Sequence, residues 1–198
     1  MTLFSRPEGV TLSGEVCTVK LLLERGADIN KVDKKYATPL SKAARFNHKD
    51  VVKVLLNGGA EPDKANKSGY TPLQLAARNG DEDVIKLLVD GGADINKANR
   101  NGSTPLHLAV AAGSLSNQSR DVSCMETLLD LGADPDETDV KGKSPLHIAV
   151  SHGNKFYVKL LLDRGANPNK ADNKGQTPLS IAQQNNQKSN IKLLTDAG

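Results

Sequence analysis

The chain has 198 residues, 37% of them hydrophobic and 25% charged. It is too polar for a membrane protein and too apolar for a disordered one. Aromatics make up 3%, with no Trp, so any core must be built from Leu, Ile, Val and Ala. A net charge of +3 is not the footprint of a dedicated nucleic-acid binder. Two cysteines, Cys17 and Cys124, cannot form a disulfide framework and fit a reducing compartment. The opening Met1-Thr2-Leu3-Phe4-Ser5-Arg6-Pro7 lacks the apolar stretch of a secretory signal. No apolar run approaches the ~18 residues of a membrane span. The sequence predicts an intracellular protein, cytoplasmic or nuclear. The sequons at Asn101 and Asn117 then carry no meaning.

Two markers repeat in step along the chain. Thr38-Pro39-Leu40, Thr71-Pro72-Leu73, Thr104-Pro105-Leu106, Ser144-Pro145-Leu146 and Thr177-Pro178-Leu179 are spaced by 33, 33, 40 and 33 residues. Gly26-Ala27, Gly59-Ala60, Gly92-Ala93, Gly132-Ala133 and Gly165-Ala166 end 11 residues before each of them. The long interval therefore holds seven extra residues, aligned near Ser114–Arg120.

In chain order, Val19–Leu23 reads as a second helix whose partner lacks its signature, since Ser5-Arg6-Pro7 stands where Thr-Pro-Leu should lie. Lys42 then occupies the slot of Leu75, Leu108, Ile148 and Ile181, which points to an incomplete neighbour on that side. The stretch 69–92 typifies the complete unit. Thr71 caps a helix with Pro72 at its first position. Leu73, Leu75 and Ala76 give it an apolar face, and Asn79-Gly80 ends it. Val84, Ile85, Leu87 and Leu88 recur as a second amphipathic helix requires. Asp94 to Gly102 is turn chemistry. The insertion falls between the two helices of its repeat and reads as a flexible loop. At the end, Gln183–Gln187 is polar and Thr195 replaces the Leu seen at Leu162, which predicts a solvated cap. Helices this short cannot stand alone in water, so stability must come from stacking on neighbours.

This pattern resembles the ankyrin repeat family over about residues 14–198. The resemblance implies an all-α solenoid of stacked helix–turn–helix units with projecting β-hairpin fingers. It predicts one domain, 1–198: a partial N-terminal repeat (1–29), full repeats at 30–62, 63–95, 96–135 and 136–168, and a C-terminal capping repeat (169–198). It also implies a concave binding surface of finger tips and the exposed side of each first helix. Carried over by position, the candidate contacts are Lys34, Lys35, Tyr36, Arg45 and Phe46; Lys67, Tyr70, Arg78 and Asn79; Arg100; and Lys141, Lys143 and His152. These slots are basic and hold no Asp or Glu, although Asp33, Asp139 and Asp172 lie close by. Tyr36, Phe46 and Tyr70 bring aromatics beside Arg, a good anchor for an interface. Tyr36 stands where Gly69, Gly102, Gly142 and Gly175 stand, so either its turn differs or the ring is kept for contact. Asn30, Asn96 and Asn169 resemble the substrates of an asparaginyl hydroxylase; a hairpin-forming role is the plainer reading.

Catalytic chemistry is not visible. Gly142-Lys143-Ser144 ends like a phosphate-binding loop, but Glu137 stands where that motif needs Gly. His107 and His147 recur with the signature, and in this family such a His orders the finger backbone; neither has a second metal ligand at i+4. The two thiols have no base beside them. No metal or cofactor is expected. The sequence predicts a non-catalytic, monomeric module that binds an acidic or amphipathic segment of another protein, with no membrane and with nucleic acid disfavoured. Its rivals are a substrate-recruiting piece of a larger enzyme or ubiquitin-ligase adaptor, and a scaffold or selected binder with no native ligand.

Overall fold

The structure, a computed structural model, describes residues 12–113 and 120–198. Among them are eleven helices and no strand. They group into two compact units that meet between residues 94 and 95.

The first unit holds α1 (Leu12–Glu24), α2 (Pro39–Arg45), α3 (Lys49–Asn57), α4 (Pro72–Asn79) and α5 (Glu82–Asp90). α2 and α4 each begin at a proline whose missing N–H would have no partner there anyway. The Thr38 hydroxyl accepts the Ser41 N–H at 3.0 Å. Thr71 and Gln74 close a reciprocal capping box, with the Gln74 side chain taking the Thr71 N–H at 3.1 Å. Each first helix buries one Leu and two Ala: Leu40, Ala43 and Ala44 in α2, Leu73, Ala76 and Ala77 in α4. Those small residues let α2 pack directly on α4. Val51, Val52 and Leu55 in α3, and Val84, Ile85 and Leu88 in α5, close the other layer, where α3 touches both α1 and α5. The missing Thr-Pro-Leu signature near Ser5-Arg6-Pro7 lies outside the described residues. Lys42 is accommodated by its own repeat: its Nζ is 3.0 Å from Asp33 Oδ2.

The second unit holds α6 (Pro105–Gly113), α7 (Arg120–Asp130), α8 (Pro145–Ser151), α9 (Lys155–Asp163), α10 (Pro178–Gln184) and α11 (Lys188–Ala197). Of the Ser114–Arg120 insertion, residues 114–119 lie outside the described residues; Arg120 opens α7. α6, α8 and α10 pack in succession, and α9 packs on α11. Leu106, Leu146, Leu128, Val158 and Leu161 are fully buried. The last pair ends in solvent as expected: Gln183 to Asn186 and Thr195 are exposed.

Each finger is a five-residue turn with too few main-chain bonds to count as strands. In the first, Asp33 N–H reaches Ala37 O at 3.1 Å and Tyr36 N–H reaches Asp33 O at 2.9 Å. One further bond joins each finger to the next within a unit: Lys67 N–H to Lys35 O (2.9 Å), Val140 N–H to Asn101 O and Asn173 N–H to Lys141 O (both 3.0 Å). A second ladder runs beside it. Asn30 Oδ1 accepts the Glu61 N–H at 3.0 Å, Asn96 Oδ1 the Asp134 N–H at 2.9 Å, and Asp136 Oδ1 the Asn167 N–H at 2.9 Å. Asp63 does the same for Asp94.

His107 and His147 add a third tie. Nδ1 of His107 faces the Thr104 N–H (3.2 Å) and hydroxyl (2.8 Å), so it accepts; Nε2 faces the Lys143 carbonyl at 3.0 Å, so it donates. His147 repeats this with Ser144 and the Gln176 carbonyl. Each imidazole thus holds the next repeat's finger in its neutral form. Burial lowers the pKa of both below the usual histidine value, against the opposing pull of those carbonyls. A depressed folded pKa means that the unfolded state takes up protons first on acidification. The stabilisation is therefore complete above about pH 6.5 and is lost as pH falls below it. Gln74 fills the same slot natively. His107→Gln with His147→Gln should lose less of its unfolding temperature between pH 7.5 and pH 5.5 than the wild type does. Parallel losses would refute the assignment.

Asn190 sits in the core slot of Val51, Val84, Cys124 and Tyr157. Its Nδ2 donates to Gln187 Oε1 at 2.8 Å, but its buried Oδ1 has no partner. An unsatisfied buried acceptor costs about 1–3 kcal/mol. Asn190→Val should therefore raise the stability measured by urea unfolding by about 1 kcal/mol; no gain would mean that the oxygen is satisfied in solution.

Candidate protein-binding surface

The finger face of the first unit carries most of the predicted contacts. Its first finger is a strained one. Tyr36 holds φ 57°, in the left-handed region where Gly69, Gly102, Gly142 and Gly175 hold 73° to 85°. Its turn closes with the same bond as theirs, Gly69 N–H reaching Asn66 O at 2.9 Å. The turn is thus conserved and the glycine is not. At Gly102 and Gly142 a Cβ would lie 2.7 Å from the next finger's backbone nitrogen, so those positions admit nothing larger. The first finger takes a Cβ and still keeps its 2.9 Å bond to Lys67. The ring is 58% exposed.

Phe46 caps the far end of α2 and is 62% exposed. The Arg45 guanidinium carbon lies 5.5 Å from its ring centre, and the His48 ring meets it edge-on at 6.3 Å. Asn79 is a fastener: its Nδ2 donates to the Arg45 carbonyl at 2.6 Å and ties the end of α4 to the end of α2. Arg78 is exposed beside it, and Tyr70 is half-buried at the base of the second finger. Tyr36 and Phe46 bracket a seven-residue helix about 10 Å long, with Arg45 beside Phe46.

The acidic residues next to the fingers are turned into them. Asp33 Oδ1 takes the N–H groups of Lys35 (2.7 Å) and Ala37 (3.0 Å). The Lys42 side chain, helped by those N–H groups, holds its carboxyl below the usual range against the effect of burial. Asn66 makes the same turn in the second finger. Lys34, Lys35 and Lys67 stay exposed, so the outward charge of these fingers is positive. Lys49, at the other end, is not free: it pairs with Asp83.

The second unit repeats the finger chemistry. Asp139 Oδ1 takes the N–H groups of Lys141 and Lys143 (2.8 and 2.9 Å), and Asp172 those of Lys174 and Gln176. Arg100 and Lys141 are exposed, whereas Lys143 is half-buried and gives its carbonyl to His107. His152 is exposed, and its Nδ1 is held by the Ile148 carbonyl at 2.8 Å.

Asn30 and Asn96 are half-buried and spend their side-chain oxygens on the Glu61 and Asp134 N–H groups, in the loop before the next helix pair; Asn169 is exposed, its N–H taken by Asn167 Oδ1. Cys17 is exposed and Cys124 buried, in α1 and α7. Among the described residues no group of three His, Cys, Asp or Glu side chains could hold a metal ion, and no helix is long and apolar enough to cross a membrane. One exposed aromatic escaped the positional reading. Phe156, in the first turn of α9, is 66% exposed. Its signal was there: Asp50, Asp83, Ser123 and Ser189 hold the equivalent position.

A family model described as ankyrin repeats (3 copies) matches the chain over residues 10–99, 61–117 and 115–198. No curated protein matches it significantly. Ankyrin repeats are generally protein–protein interaction elements and are typically non-catalytic. With the family model spanning nearly the whole chain, and the Thr-Pro-Leu register opening five of its helices, the protein belongs to the ankyrin repeat family.

Proposed function

We propose that this protein is a non-catalytic binding module whose finger face in residues 30–80 takes an acidic or amphipathic segment of another protein. The observation that carries this reading is Tyr36. A non-glycine residue in the left-handed region costs about 1–2 kcal/mol. Such strain persists where the surroundings impose it, and it gathers at functional sites. Burial does not offset it, because the ring lies mostly in solvent. An exposed aromatic held at a cost to folding is suited to contact something outside the fold.

The rest of the face supports the same partner. Phe46 with Arg45 is an apolar and cationic anchor at the far end of α2. Lys34, Lys35 and Lys67 line the near end while the neighbouring Asp33 carboxylate is engaged in its turn. Exposed charge of this kind speeds encounter and selects partners more than it deepens affinity, so association should slow as salt rises.

Tyr36→Gly should raise the stability of the chain by about 1 kcal/mol while weakening capture of partner from cell extract. Phe46→Ala with Tyr70→Ala should cost the captured partner more than about 1 kcal/mol of affinity in calorimetry. Unchanged affinity in both variants would discard this face as the binding site.

A further inference from the structure

The outer helices of the second unit carry a surface that the finger-face reading leaves unused. α9 opens Lys155-Phe156 and carries Lys159 one turn on; α11 carries Lys188 and Lys192. The 33-residue period sets Lys188 beside Lys155 and Lys192 beside Lys159, one repeat along, on helices that pack together. All four are exposed, and among the described residues none of them forms an ion pair. In the first unit Lys53 and Lys86 hold the slots of Lys159 and Lys192 and are also exposed, but the first-turn row differs there: Lys49 is neutralised by Asp83, and α5 opens with Glu82 and Asp83.

This arrangement opposes local preference. Helix N-termini favour acids and disfavour lysine, yet neither α9 nor α11 has an acid in its first turn, and each begins with Lys. The backbone of that turn in α9 is capped, since the Asn154 side chain accepts the N–H groups of Phe156 and Tyr157 at 3.1 and 3.3 Å. Lys155 Nζ lies 5.1 Å from the centre of the Phe156 ring. A large apolar ring thus stands in solvent beside Lys155, on the helix that carries one of the two lysine rows.

We propose that this face is a second docking surface, and that its occupant is an acidic amphipathic helix of a partner protein. The spacing matches such a helix. Lysines four residues apart stand about 6 Å apart along each axis, as acids at i and i+4 do on a partner. Packed axes are separated by about 8–10 Å, so a helix laid along α9 and α11 faces a lysine row on each, and Phe156 on α9 is the exposed apolar side chain beside those rows. An anionic bilayer fits less well. Asp163 and Asp196 end the same two helices in solvent, and a flat anionic surface would meet them together with the lysines. A helix can be placed so that its acids meet the lysines alone.

The test uses the whole chain and a fluorescent peptide of about 20 residues, with Glu at i and i+4 on both flanks of a Leu stripe. Fluorescence anisotropy at low salt should report binding. Lys159→Glu with Lys192→Glu should weaken it about tenfold or more with the unfolding temperature unchanged. Phe156→Ala should weaken it about threefold or more, and Phe46→Ala on the finger face should leave it unaltered. That last variant separates failure here from failure of the finger-face reading. Three results would overturn the proposal: no peptide binding, equal binding by the double lysine variant, or lysine-dependent pelleting with vesicles of about 30% phosphatidylserine in place of peptide binding.

Discussion

A seven-residue helix such as α2 or α8 closes only about three internal hydrogen bonds, far short of what holds a helix together in water. The burial of Leu and Ala against the next pair does most of the rest. The polar ladders decide which pair is next, and in what register. A side-chain oxygen at position 30, 63, 96 or 136, in the loop before one helix pair, takes an N–H from the loop before the next pair, and a finger carbonyl takes another. These bonds have little worth one by one, about 0.5–1.5 kcal/mol net. They are directional, however, and they space the repeats so that the alanine pairs meet.

The same couplings fix what the fingers present. Each turn folds its own carboxylate or amide inward to take two N–H groups, as Asp33, Asn66 and Asp139 do. The lysines between are left pointing at solvent. A basic surface therefore arises from nearly balanced composition, because structure consumes the acids and spares the bases. Tyr36 and Phe156 stand outside this logic. Both put an aromatic ring where the other repeats place glycine or a small polar residue, both remain exposed, and both oppose a local backbone or helix-end preference.

Much of this was legible beforehand. Proline at the first helical position is a local rule, so α2, α4, α6, α8 and α10 begin at the prolines of the signature. The buried faces of α5 and α9 follow the expected period. The odd residue Tyr36 could be singled out because its position demands positive φ, a single-residue property. What was hidden depends on neighbours about 31 residues away. Asn30 and Asp63 do the same job through one oxygen, and nothing in either residue says so. Nor does Lys42 in its slot show that Asp33 of the same repeat pairs with it. Phe156 was missed because attention to finger slots excludes the outer helices.

Dependence of each pair on its neighbours is the claim on which the rest stands. Native-state hydrogen exchange on Leu146→Ala measures it most directly. This change empties part of the core in α8, at a cost of about 2–5 kcal/mol. If pairs persist only by stacking, amides in α6 and α10 should lose protection along with those of α8 and α9. Loss confined to α8 and α9, with α6 and α10 protected as before, would contradict the account.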